Sequence, residues 1–245
     1  MYKKDIYTIL SNEPLTPVVY RMVLEGDTQY VTRSGQFINI ELEGKYLRRP
    51  ISVCDCQGDT LTLVYKVVGK GTAQMAAMTA GQTLDVLTGL GNGYDLSKAG
   101  DAPLLIGGGV GVPPLYMAAR LLREQGKAVS VILGFNTADE VFYEQEFAAL
   151  GCDVTVTTVD GTHGVRGFVT AALPATYSYF YTCGPEPMLK AVYAATTTSG
   201  QFSFEERMGC GFGACMGCSC KVITGYKRIC KDGPVLEKEE ILWDA

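Results

Sequence analysis

Apolar positions in the first hundred residues come in short runs of strand composition bounded by turn residues. Gln36–Leu42, Ile51–Cys54, Thr60–Val68 and Thr83–Leu87 are the clearest of them. Short strands with frequent turns predict an antiparallel barrel or sandwich. Between the third and fourth runs, Gly71 and Thr72 precede a predicted helix at Ala73–Met78.

The pattern changes in the middle third. APLLIGGGVGVPPLYMAARLLREQG reads as a strand, a glycine-rich turn and a helix, and VSVILGFNTADEVFYEQEFAALG as another strand and helix. DVTVTTVDG and YFYTCGPEPMLKAVYAATTTSG continue the alternation. That order predicts βαβ units, a parallel sheet, and ligands at the carboxyl ends of its strands. The expected fold is therefore a β barrel plus an α/β domain.

Composition narrows the class. The chain has 245 residues, 47% hydrophobic and 19% charged, enough for two compact domains with real cores. A net charge of −5 argues against nucleic acid as a partner, because phosphate backbones require a basic surface. MYKKDIYTIL holds no apolar stretch of signal-peptide length. Ala102–Ala119 is free of charge, but three glycines at 107–109, then Gly111, Pro113 and Pro114, make it a poor spanning helix. A soluble cytoplasmic protein is expected, with no membrane and no nucleic acid. In that reducing setting nine cysteines, an odd number, are a poor disulfide framework.

Four of the nine cysteines crowd into ERMGCGFGACMGCSC, residues 206–220. Cys210, Cys215 and Cys218 follow C-x4-C-x2-C, and eleven residues separate Cys218 from Cys230. This is the plant-type [2Fe–2S] spacing. Gly209, Gly211, Gly213 and Gly217 would let the backbone bend tightly and aim N–H groups at sulfur. The alternatives are zinc, for which Cys215 and Cys218 form a half-site, and inert thiols. Zinc lacks a second half-site here, and His163 is the only histidine. Cys220 is expected to be a small buried residue, as are Cys54, Cys56 and Cys152.

Weaker signals accompany the cysteines. In LRRPISVCD, Arg49 and Ser52 place a forked cation and a hydroxyl on one strand, a pairing suited to pyrophosphate; a surface salt bridge is the alternative for Arg49. Gly71 and Thr72 open a loop-to-helix junction that could hold phosphate, or are a plain turn. Gly107, Gly108, Gly109 and Gly111 permit close approach of a pyrophosphate, although GGGVGVPP is not the standard GxGxxG; a tight strand-to-helix turn is the alternative. Cys183, Gly184 and Pro185 end the last strand of the α/β region, where a side chain can meet a nicotinamide; Cys183 could equally be a core residue.

RPIS with a following GKGT, then GGGVGVPP and CGPEPM, together resemble the ferredoxin–NADP reductase superfamily. The cysteine segment, Cys230 and DGPVLEKEEILWDA resemble, more narrowly, the electron-transfer subunits of dihydroorotate dehydrogenase B. The resemblance runs from about Tyr7 to the end. It implies FAD on the barrel, with Arg49, Pro50, Ile51 and Ser52 contacting the flavin and its phosphates, and Val64, Tyr65, Lys66, Gly71 and Thr72 lining the remainder. Where Ile51 stands the superfamily usually has tyrosine, so ring stacking on the flavin is not implied. The resemblance further implies a relay: a partner subunit oxidises dihydroorotate on its FMN, and electrons pass through [2Fe–2S] and FAD to NAD+. A TIM barrel of about 250 residues has no room in this chain, so a second chain must hold it.

Three units are expected: an FAD barrel at 1–98, an NAD domain at 99–203 and a [2Fe–2S] segment at 204–245. Assembly of two catalytic and two electron-transfer subunits is expected. Asn136, Thr137, Ala138, Asp139 and Glu140 follow VSVILGF with no Arg or Lys among them, which favours NAD over NADP. Met208, Phe212 and Met216 either pack locally or reach the partner, and the tail, with Trp243, is expected to dock there too. The competing functions are a related subunit linking NAD(P)H to ferredoxin, sulfur compounds or hydrogenase, and a redox sensor without turnover.

Overall fold

A computed structural model describes residues 2–243. The amino-terminal strands are β1 (Lys3–Pro14), β2 (Val19–Glu25), β3 (Phe37–Ile40), β4 (Arg49–Gln57) and β5 (Thr60–Lys66). Helix α1 (Lys70–Ala76) and β6 (Thr83–Leu90) follow. The six strands close as β1-β2-β5-β4-β3-β6, a barrel rather than a sandwich. Alternation explains the closure: Tyr7 and Ile9, Met22 and Leu24, Ile38 and Ile40, Leu61 and Leu63, and Leu84 and Val86 all point into one core. Met75 of α1 joins that core. The helix begins three residues before the predicted start, because the Thr72 hydroxyl accepts the Val68 and Gly69 N–H groups and fixes the turn there.

The second half supplies β7 (Leu104–Gly108), α2 (Tyr116–Glu124), β8 (Ser130–Phe135), α3 (Glu144–Ala149), β9 (Asp153–Thr158), β10 (Val165–Arg166), β11 (Phe180–Cys183), α4 (Glu186–Ala195) and β12 (Gly200–Ser203). The chain ends in a hairpin of β13 (Ser219–Val222) and β14 (Gly225–Arg228), then β15 (Val235–Glu237). One sheet runs β10-β9-β8-β7-β11-β12-β15, parallel except for β15, which returns antiparallel on β12. The uncharged Ala102–Ala119 stretch is explained by this placement. All five residues of β7 are buried, and two short 3-10 turns lead from it into α2. Among the described residues no helix is long and apolar enough to cross a membrane.

The two halves share a core. Val19, Cys54 and Val64 of the barrel pack with Leu115, Ala118, Leu122 and Phe147. Across this seam Arg120 of α2 donates to Asp55 Oδ1 from Nε (3.1 Å) and Nη2 (2.8 Å), and Nη2 also reaches Cys56 O (3.1 Å). Asp55 is buried, so its charge is held by a guanidinium rather than by water.

The carboxyl-terminal segment is bound to both halves. Cys218, Val222, Ile229, Cys230, Leu236 and Ile241 share a core with Phe37 and Leu90 of the barrel and Phe180 and Phe202 of the sheet. Asn92, just past β6, donates to Val235 O (2.7 Å) and accepts from Val235 N (3.1 Å). Trp243 packs within its own chain and is half-buried. Its ring packs at 5.1 Å from Tyr193, 5.5 Å from Phe202 and 5.6 Å from Phe204 of its own chain. Of the expected docking tail, Asp232 to Ala245, the last two residues, Asp244 and Ala245, lie outside the described residues.

Candidate functional site

The barrel is zipped incompletely where RPIS begins. The ladder between β4 and β5 runs from Val53–Leu63 to Gln57–Thr60, whereas Arg49–Ser52 pair only with β3. Arg49, Pro50, Ile51 and Ser52 are all half-buried, so they line an opening beside the free edge of Val64–Lys66. The side chains of that edge divide by strand alternation. Val64 packs at the seam between the halves, Lys66 is exposed, and Tyr65 points into the barrel core, donating its hydroxyl to Asn12 Oδ1 at 3.0 Å. Tyr65 therefore offers this opening its backbone and not its ring.

Of the two adjacent arginines, Arg48 is engaged by the barrel itself. Its Nη1 donates to Asn39 O (3.2 Å) and Asp85 O (3.1 Å), and its Nη2 pairs with Asp85 (2.7 Å) and Glu41. Arg49 has no carboxylate partner among the described residues. Its Nη1 donates to the backbone carbonyl of Leu47, and its guanidinium lies against Gly71, where a Cβ would collide with Nε. A free forked cation thus sits on the loop that opens α1, while the Thr72 hydroxyl is taken up by its own turn.

A second candidate site lies at the carboxyl ends of β7 and β11. Strand β7 is flanked by β8 on one side and β11 on the other, which makes it the topological switch point of the sheet. A Cβ on Gly111 would strike the Cys183 carbonyl, and one on Gly108 would strike Met188 Sδ, so these glycines let the two loops meet. Gly109 differs: its φ of +50° favours glycine, and no heavy atom lies within 4 Å of where its Cβ would be. Gly107, Gly108, Gly109, Gly111, Cys183, Gly184 and Pro185 are brought together here. Burial pushes the Cys183 thiol up to about 12 against an opposing hydrogen bond from Ser203, so it stays neutral at physiological pH and is unsuited to acid–base work. At the end of β8, Glu140 Oε2 accepts from Asn136 N (3.1 Å) and Nδ2 (2.8 Å), which fixes a carboxylate at that strand end.

The cysteine segment wraps onto the outer face of β3. Cys218 and Cys230 are buried, Cys210 is half-buried and Cys215 is exposed. They fall into two pairs: the Cys215 N–H reaches Cys210 Sγ at 3.5 Å, and the Cys230 N–H reaches Cys218 Sγ at 3.4 Å. Among the described residues no three His, Cys, Asp or Glu side chains converge on one ion position. Two pairs of thiols are the donor set that a [2Fe–2S] group would take, two to each iron. Backbone N–H groups already face sulfur, from Ala214 (3.2 Å) and Cys215 (3.5 Å) to Cys210 Sγ and from Cys230 (3.4 Å) to Cys218 Sγ. Burial raises the Cys210 thiol, but those N–H groups outweigh it and hold it down at about 6. At Gly211 (φ +79°) and Gly213 (φ +91°) the loop takes left-handed turns, and Gly209 lies against Cys215 Sγ. Cys220 is half-buried in β13, not fully buried as expected. Cys56 and Cys152 are likewise half-buried, and only Cys54 is fully enclosed.

Of the three apolar residues among the cysteines, Met216 is exposed at 55%, whereas Met208 is half-buried and the Phe212 ring lies tilted at 5.3 Å from that of Tyr2. Sequence reasoning passed over Asn39, the one polar residue in the buried run Phe37–Ile40. Its Nδ2 donates to Cys210 O at 3.3 Å.

Comparison with known proteins agrees with this layout. Residues 205–242 match the model of the iron–sulfur cluster binding domain of dihydroorotate dehydrogenase B, and residues 105–194 the oxidoreductase NAD-binding domain. The chain is 40% identical over 257 residues to the electron transfer subunit of dihydroorotate dehydrogenase B (NAD(+)) from Geobacillus sp. (strain WCH70), covering 99% of this chain and 100% of that protein. The same-named protein of Shouchella clausii (strain KSM-K16) is 42% identical over 256 residues, covering 98% of each. Among solved structures, one of an NADH-dependent reduced ferredoxin–NADP oxidoreductase superposes with a TM-score of 0.88 at 29% identity, covering 98% of this chain and 90% of that one. A ferredoxin NADP+ reductase from Neisseria gonorrhoeae shares the fold at a TM-score of 0.68 and 19% identity, over 79% of this chain and 90% of that one.

Proposed function

Because the chain belongs to the family of dihydroorotate dehydrogenase B electron-transfer subunits, we propose that it couples oxidation of dihydroorotate on a partner subunit to reduction of NAD+. The observation that carries this reading is the juxtaposition of three sites: paired thiols on the outer face of β3, a free arginine on the neighbouring strand β4, and the switch point across the seam. When bound, the [2Fe–2S] group carries electrons singly, and FAD combines two of them with a proton into the hydride that NAD+ accepts.

The chain's own residues bind and orient. Cys210, Cys215, Cys218 and Cys230 are the cluster ligands, and the N–H groups of Ala214, Cys215 and Cys230 stabilise thiolate charge. Arg49 neutralises the FAD pyrophosphate, and Pro50, Ile51 and Ser52 with the Val64–Lys66 edge and the Gly71–Thr72 loop hold the flavin in the opening of the barrel. Gly109 and Gly111 give the dinucleotide close backbone approach, and the neutral Cys183 fills space beside the nicotinamide. Three working units follow, 1–98, 99–203 and 204–245, the last stitched to the second by β15 on β12. The partner carries FMN and completes an assembly of two subunits of each kind. Cytoplasmic placement suits ligand thiols that must stay reduced.

The carboxylate of Glu140 would face a 2′-phosphate, and like charges in contact are costly. With an artificial acceptor, kcat/KM for NADH is expected to exceed that for NADPH by at least about tenfold, and Glu140→Lys to narrow the gap. Equal or better kcat/KM with NADPH would sink the NAD assignment and move the case toward an NADPH–ferredoxin subunit, the alternative that the 0.88 structural match keeps in view.

A further inference from the structure

Asn39 lies where the flavin opening and the cysteine loop meet. It stands opposite Pro50 in the β3–β4 ladder, so its side chain shares a face with that of Pro50, one residue from Arg49 and from Ile51. It is 1% exposed, yet only half of its amide is used. Nδ2 donates to Cys210 O at 3.3 Å, and Oδ1 has no partner among the described residues. The loop is shaped to accept this contact. Gly211 takes φ +79°, and any Cβ there would collide with Asn39 Nδ2. A buried asparagine in an otherwise apolar strand is costly unless it does something specific, since an unpaired buried amide oxygen forfeits its hydration.

We propose that Asn39 is a positioning residue: it clasps the backbone of the first cluster ligand, Cys210, to the flavin strand and sets the rate at which electrons cross between the two cofactors. The inference rests on the cofactor reading above. Its physical basis is a path from the Cys210 carbonyl through the Asn39 side chain into the β3 backbone, whose neighbouring residues Ile38 and Ile40 pair with Ile51 and Arg49 of the flavin strand. No other barrel side chain among the described residues donates to that loop. With the donor removed, the loop is still held by its core residues and by Arg228, which donates to Gly213 O at 2.9 Å, but its register on β3 is no longer fixed.

The test uses the full chain loaded with FAD and cluster. In stopped flow, NADH delivers a hydride, two electrons and a proton, to the flavin; one of those electrons moves on to reduce one ferric iron of the cluster, and the other stays on the flavin. Flavin bleaching and cluster reduction are read at separate wavelengths, and iron, sulfide and FAD are quantified for every variant. Asn39→Asp keeps the shape and loses the donor; Asn39→Leu keeps the bulk and loses both polar atoms. The expected result is full cofactor content in at least one of them, with the ratio of cluster reduction to flavin reduction lowered by about fivefold, the worth of one hydrogen bond. An unchanged ratio at full content would overturn the proposal. So would a ratio that falls only in proportion to lost iron, because Asn39 would then be an anchor and nothing more. A parent chain whose flavin NADH does not bleach, or which binds no cluster, would instead defeat the underlying cofactor assignment.

Discussion

Serine in place of Cys230 is expected to empty the iron site while leaving the flavin and nicotinamide sites in working order. Cys230 is buried, it pairs with Cys218, and its own N–H donates to the Cys218 sulfur. A serine oxygen is a poor substitute for a soft thiolate at iron. Cluster content should fall by more than the roughly 10–100-fold affinity loss that removal of an outer-shell partner causes. Cys210→Ser, Cys215→Ser and Cys218→Ser should behave alike, and Cys220→Ser should keep its iron, because Cys220 sits on the β13 strand outside both thiol pairs. NADH oxidation by an artificial acceptor should persist in all of them, since Arg49 and the switch point are untouched. Iron and sulfide analysis decides the matter. Iron kept in Cys230→Ser and lost in Cys220→Ser would mean that the ligand set is wrong.

Arg49→Ala is expected to release FAD. The guanidinium has no carboxylate to pair with and lies on Gly71, so the substitution removes an available cation without leaving a buried acid unpaired. Loss of a charge-assisted hydrogen bond costs about 1.5–3 kcal/mol, which corresponds to about 10- to 150-fold in FAD affinity. Arg49→Lys should recover only part of this, because an ammonium lacks the planar fork that spans two phosphate oxygens. Arg48→Ala is the contrasting case. Its four acceptors belong to β3, β6 and the Glu41 loop, so it should lower barrel stability and leave FAD affinity per folded molecule nearly intact. FAD retained by Arg49→Ala through dilution and gel filtration as tightly as by the parent would contradict the assignment.

Much of this architecture was readable from residue order. The barrel runs are bounded by turn residues, and β7, β8 and β11 are mostly apolar because they are largely buried on both faces. The cysteine spacing carried the family, since few contexts place three thiols among four glycines. What stayed hidden depends on contacts distant in sequence. The pairing of Cys218 with Cys230 rests on the β13–β14 hairpin, which sets Ser219 opposite Arg228 and Ile229 N–H on Cys218 O. The division of labour between Arg48 and Arg49 depends on Asp85, which the sequence does not place beside them. The contacts of Trp243 with Tyr193 of α4 and Phe202 of β12 are likewise revealed only by the folded sheet. Asn39 carried a faint signal, one polar residue inside FINI, and nothing local indicated that its partner would be residue 210.

The central claim is that this chain connects a dihydroorotate-oxidising flavin to NAD+, and reconstitution tests it most directly. The loaded chain is mixed with an FMN-containing dihydroorotate-oxidising subunit from the same source, the complex is isolated, and NADH formation is followed at 340 nm (a general property of NADH) with dihydroorotate as the only donor. The account predicts a complex with equal numbers of the two subunits and NADH formation that needs both chains and all four cluster cysteines. No complex, together with robust turnover when ferredoxin or polysulfide is supplied instead, would contradict it.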